Sequence, residues 1–247
     1  MSQPRAYKAR GIVLRARNLG EADKIVTFFT DESGKLDAVA KGVRRAKSHL
    51  AGRLEFGSES MLTLHRGRNL DIIVGADLVS SRWIVEPAAF AAASVVLETI
   101  DALSEPDFPM PEVYALLSNA LAALARSEDP TALLPRFQLR FLDALGIAPP
   151  QDRCARCGAA FGSKGAWLDE EHGSFAGLEC RETWRDMLEL DPDDVENLAA
   201  LGAPRGEGAA MRARPRVAIA IDRLISYHVG RRLRAGAHAA EFVRAKP

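Results

Sequence analysis

Three cysteines in 247 residues fall in a pattern suited to a metal ion. Cys154 and Cys157 bracket Ala155-Arg156 and are followed by Gly158, a C-x-x-C-G knuckle. Its tight turn aims two thiolates and several backbone N–H donors at one point. Cys180 follows at zinc-ribbon distance, but a second C-x-x-C would need cysteine at 183, where the chain has Thr183. Three thiolates leave a tetrahedral Zn2+ one ligand short. His172, in DEEHGSF, is the expected fourth, with Glu182 or a water as alternatives. The expected role of the ion is structural; the rival reading is a degenerate site that holds none. A thioredoxin-like redox pair fits poorly, because the motif follows helical texture and Pro149-Pro150 rather than a strand.

A second chemical feature is the run GKLDAVAKGVRRAKS, Gly34 to Ser48. Lys35, Lys41, Arg44, Arg45, Lys47 and Arg53, with Arg66 and Arg68 from a later turn, predict a cationic surface for a phosphate chain. The chain has no net charge, yet residues 1–82 carry +6, 83–150 carry −6, 151–208 carry −7 and 209–247 carry +7. Basic ends around an acidic middle point to a polyanion partner; mutual pairing of the zones is the alternative. Before Trp83 the only aromatics are Tyr7, Phe28, Phe29 and Phe56, which favours phosphate contact over base stacking. Such binding is independent of base sequence and weakened by salt.

No nucleotide loop, dinucleotide fingerprint, H-E-x-x-H or G-x-S-x-G motif occurs, and the five histidines are scattered, so the chain is not expected to be an enzyme. Asp191 to Asp194, DPDD, reads as a helix N-cap with carboxylates at the positive end of the dipole. No apolar run reaches the roughly 20 residues of a membrane span, and the N-terminus lacks a signal-peptide core. A soluble, cytoplasmic protein is expected.

These groups need a scaffold. Residues 11–16, 24–30, 35–40, 60–65 and 70–78 are short, rich in Val, Ile, Phe and Thr, and bounded by Gly, Asp or Ser. DESG (31–34) and HRGRN (65–69) read as hairpin turns, and 48–54 as a small helix. Five strands in about eighty residues suit a closed oligonucleotide-binding (OB) barrel, with an SH3-like barrel close behind. Residues 88–103, 113–126, 131–145, 195–201 and 217–233 have helical spacing. The last has Val217, Ile221, Leu224, Ile225 and Val229 on one side and Arg216, Arg223, Arg231 and Arg234 on the other. The expected class is α+β and multidomain: an OB-fold barrel at 1–82, then an α-helical domain at 83–247 interrupted by a zinc-ribbon-like insert at about 150–184.

The stretch ARGIVLRARNLGEADKIVTFFTDESGKLDAVAKGVRRAKSHLAGRLEFGS resembles the N-terminal domain of the RecO family of bacterial recombination mediators. The G-x-V-L start, Gly20-Glu21, the F-T-x-x-x-G-K-L turn and the A-K-G-x-R-x-x-x-S run fall in the family's order. LGIAPPQDRCARCG is similar to its helix end and zinc-knuckle half, and LISYHVGRRLRAGAHAAEF to its C-terminal helices. The resemblance implies binding of single- and double-stranded DNA, strand annealing, and partnership with RecR and single-stranded-DNA-binding protein. Together these would load RecA during repair, at the nucleoid. It places DNA on Lys35, Lys41, Arg44, Arg45 and Lys47, and zinc on Cys154, Cys157 and Cys180. Two other readings stand beside it: a zinc-containing nucleic-acid-modifying enzyme, and a plain RNA- or DNA-binding module.

Overall fold

A computed structural model describes residues 5–80, 84, 86–161, 163–181, 187–203 and 212–236. Trp83, Glu182, Thr183, His238, most of the loop at 201–210 and the end of the last quoted stretch lie outside the described residues. Two compact units result, Met1–Ser127 and Glu128–Pro247.

Five strands open the first unit: β1 (Ala6–Leu19), β2 (Asp23–Thr30), β3 (Gly34–Ala40), β4 (Glu59–His65) and β5 (Asp71–Ser80). They close into a barrel in the order β1-β2-β3-β5-β4. Every pairing is antiparallel except that of β3 with β5, where Ala38 faces Asp71. The expected OB-like barrel is therefore present. β1 serves two neighbours, pairing Ala6 to Ile12 with β4 and Gly11 to Leu19 with β2. Its register with β2 slips between Val13 and Arg15, a bulge of the kind that bends a strand around a barrel.

Alternation along β2 sends Val26 and Phe28 into the barrel core with Val13, Ala38, Leu62, Leu64 and Ile73. Val43 and Leu54, from the segment joining β3 to β4, join the same core. That segment holds a single 3-10 turn, Ala51–Arg53, where a small helix is expected. Ile25, Thr27 and Phe29 point the other way, yet they are also buried. Helix α1 (Pro87–Leu103) explains this. Its Asp101 carboxylate accepts from Arg15 Nε of β1 at 2.7 Å, and the Asp101 carbonyl accepts from Lys35 Nζ of β3 at 2.6 Å. Since β2 runs between those strands, the end of α1 lies across the outer face of β2.

Gly34 shows how tight this seam is. Its φ is +68°, and a Cβ there would stand 2.0 Å from the Phe108 carbonyl oxygen. Gly34→Ala is expected to destabilise the first unit by about 1–3 kcal/mol or more, read as a lower urea midpoint. Helix α2 (Pro111–Leu124) buries Val113, Tyr114, Leu117, Leu121 and Leu124. Tyr114 Oη donates to the buried carboxylate of Glu59 at 2.9 Å, and Arg10 pairs with that carboxylate at 2.7 Å. Burial, then the Glu59 hydrogen bond, hold the Tyr114 phenol well above its ordinary pKa. Glu59→Ala removes the acceptor of a buried hydroxyl and is expected to cost about 3 kcal/mol in equilibrium unfolding.

In the second unit a 3-10 turn (Pro130–Leu133) leads into α3 (Leu134–Ala144), which a left-handed Gly146 ends as expected. A three-stranded sheet of order β7-β6-β8 follows, from β6 (Ala166–Asp169), β7 (Ser174–Gly177) and β8 (Glu189–Leu190). Helices α4 (Pro192–Gly202) and α5 (Pro215–Val229) complete it. Asp191 caps α4 as the DPDD reading expects, accepting from Asp194 N at 2.8 Å in a reciprocal box. Arg214 then bridges Asp191, Asp193 and Asp194. On α5, Val217, Ile221, Leu224 and Ile225 are buried, while Arg223 reaches Glu170 at 2.6 Å. No helix among the described residues is long and apolar enough to cross a membrane.

Candidate nucleic-acid interface and metal centre

The turn from β3 into the next segment is built around Gly42. Its φ is +64°, a region where only glycine is unstrained, and its N–H donates to Asp23 Oδ1 at 2.7 Å. Arg44 N donates to the Ala22 carbonyl at 3.0 Å, and an Arg44 guanidinium nitrogen donates to the Gly20 carbonyl at 3.1 Å. The segment is thus anchored on the β1–β2 turn, while Val43 and Leu54 plug the barrel beneath it. Between these anchors Lys41, Arg44, Arg45, Lys47 and Arg53 are exposed. Among the described residues none of the five forms an ion pair with a carboxylate. No carboxylate among the described residues thus competes for these heads, and only Arg44 and Arg53 spend one N–H each, on the Gly20 and His49 carbonyls.

Three of the expected cations stand elsewhere. Lys35 is turned onto Asp101 of α1, with its side chain 18% exposed. Arg66 and Arg68 lie on the β4–β5 hairpin. There Arg66 stacks over the Tyr7 ring at 4.8 Å, and the Tyr7 hydroxyl donates to Asp71. Arg17 of β1 is a further exposed cation next to the β1–β2 turn. Its signal was the polar run that ends an otherwise apolar strand.

In the second unit the knuckle lies between α3 and β6, and Cys180 ends the 3-10 turn after β7. The three Sγ atoms all lie within 4.8 Å of one another. Thiolates sharing one tetrahedral zinc, at about 2.3 Å each, stand about 3.8 Å apart, so the set fits that ion. Burial pushes the Cys154 thiol up, but hydrogen bonds from the backbone of Gly177, Cys157 and Arg156 outweigh it and bring it down to about 7. Hydrogen bonds with Cys157 and Cys154 push the Cys180 thiol up to about 11. Cys154 packs with Trp167 and Ala176, so the knuckle is also the small core of the insert.

His172 does not join this group. Its Nδ1 lies 3.0 Å from Asp169 Oδ2, and the same carboxylate accepts from Arg156 at 2.9 Å. Arg156 in turn lies 5.0 Å over the Trp167 ring. Burial raises the Asp169 carboxyl, but His172 and Arg156 together hold it below the usual range. The histidine is thus engaged by an anion, and Glu182, the other protein candidate, lies outside the described residues.

Comparison with known proteins adds the remaining observation. The family described as recombination protein O, N terminal, matches residues 1–82, and recombination protein O, C terminal, matches residues 86–237. The chain belongs to the recombination protein O family. A "DNA repair protein RecO" of Frankia casuarinae is 43% identical over 157 residues, covering 62% of this chain and 65% of that one. Another of the same name from Bifidobacterium longum is 40% identical over 159 residues, 62% of this chain and 66% of its own length. The chain thus spans just under two thirds of the length of these curated relatives.

Proposed function

We propose that this RecO-family chain acts in DNA repair and recombination as a mediator that grips DNA by its phosphates. The supporting observation is the anchored segment after β3, where five exposed cations, none paired with a carboxylate among the described residues, ride on a plugged barrel end. Such a surface meets any strand, because phosphates carry no sequence information. Its phosphate contacts are open to both single- and double-stranded DNA. Neutralising the phosphates of two complementary strands lowers their repulsion and speeds pairing, with no covalent bond made or broken. Arg66 and Arg68 add cations from the β4–β5 hairpin; Lys35 supports α1 instead.

Cys154, Cys157 and Cys180 hold a Zn2+ that ties the knuckle to the end of β7, a structural role. The family relationship supports RecR and single-stranded-DNA-binding protein as partners, with RecA loading as the outcome, in the cytoplasm at the nucleoid. The test is the annealing rate of two complementary fluorescent oligonucleotides at low and moderate salt, with and without EDTA. Acceleration that fades with salt and survives EDTA is expected. Tight binding without acceleration would reduce the chain to a binding module.

A further inference from the structure

On an OB barrel the outer face of β2 and β3 is the usual platform for an oligonucleotide. Here Ile25, Thr27 and Phe29 of that face are buried, and Asp101 of α1 is held across it by Arg15 and Lys35. A strand gripped by the cationic segment therefore finds the β2 part of that face covered, and the outward residues of β3 only half-buried. The same segment supplies another place for bases. Phe56, three residues after Arg53, is 38% exposed, and Phe90 on the first turns of α1 is 50% exposed. Their ring centroids stand 5.4 Å apart, inclined at 47°. The two side chains together make one exposed aromatic patch beside the cationic segment.

The backbone behind them is fixed. Gly57 N donates to the Val13 carbonyl at 3.1 Å, and Ser60 Oγ donates to the Arg53 carbonyl at 2.7 Å. Exposed Glu55 adjoins Phe56 and repels phosphates, whereas Arg53 attracts them.

We propose that Phe56 and Phe90 form a stacking platform for unpaired nucleobases, which gives the phosphate-binding surface a preference for single strands. This rests on the phosphate-binding reading above. Duplex DNA, whose bases are already stacked on each other, gains nothing from it.

The test compares binding of the full chain to a thymidine oligonucleotide, an abasic oligonucleotide of equal length and a duplex. The wild type is expected to prefer thymidine over abasic DNA by roughly five- to hundredfold, the range for one stacked base. Phe56→Ala/Phe90→Ala should abolish that preference and leave abasic and duplex binding unchanged. Phe90→Trp keeps a flat ring at the site, and the indole fluorescence it adds should be quenched by thymidine but not by abasic DNA. Equal wild-type affinity for the two single strands, or added indole emission that thymidine leaves unquenched, would overturn the platform while phosphate binding stands. Failure of the wild type to bind any of the three DNAs would overturn both readings.

Discussion

Arg44→Ala/Arg45→Ala is expected to weaken binding to single-stranded DNA by roughly ten- to hundredfold at low salt and to slow annealing in parallel. The reason is counterion release: each phosphate neutralised by a cation frees condensed ions, and the logarithm of affinity falls with the logarithm of salt in proportion. Losing two contacts on a single strand should flatten that slope by about 1.4. The slope separates this cause from others, since a change that merely loosened the fold would lower affinity without a defined change in salt dependence. Arg44 also donates to the Gly20 carbonyl, so its truncation loosens the β1–β2 turn. Arg44→Lys/Arg45→Lys keeps both charges without the guanidinium geometry and should retain most of the affinity. Salt titrations of fluorescence anisotropy on the three proteins decide the matter. An unchanged slope in the alanine variant would remove this segment from the DNA surface.

Cys154→Ser is expected to bring zinc content from one ion per chain to background and to lower the thermal stability of the second unit. Structural zinc supplies apparent free energies of about 10–16 kcal/mol in finger peptides, so even partial loss of ligation is felt. Cys154 is the most sensitive of the three, because its sulfur is buried among backbone donors and packs on Trp167. His172→Ala should leave the zinc content unchanged, since the His172 ring is engaged with Asp169. Only thiolates coordinate well, so uptake releases protons. With Cys154 at about 7 and Cys180 at about 11 in the metal-free protein, apparent zinc affinity should rise with pH across that range. Metal analysis and proton release on zinc titration read both effects. Full zinc content in Cys154→Ser would sink the three-thiolate site.

Much was legible in the sequence because local rules carry it. Alternating apolar residues and two turn signals announce the barrel strands. Helical spacing announces α1 to α5, DPDD the cap of α4, and Gly146 the end of α3. Cysteine spacing gives the knuckle, since a C-x-x-C-G turn draws its own thiols together, and the third cysteine is returned by a hairpin of two four-residue strands. The cation run announces an exposed basic segment after β3, because five of its members share one short stretch.

Tertiary structure alone decided the rest. Lys35 is as basic in sequence as Lys41, yet it faces the carbonyl end of a helix some 66 residues away, an encounter no local pattern encodes. His172 has ligand chemistry, but a buried Asp169 three residues back captures its ring. Phe56 and Phe90 look like core residues one at a time; only the docking of α1 on the barrel brings their rings together and leaves them wet. Residue type sets which chemistry a side chain can perform. Which neighbour it meets depends on long-range packing, because burial and Coulomb energies at a few ångströms outweigh any local preference.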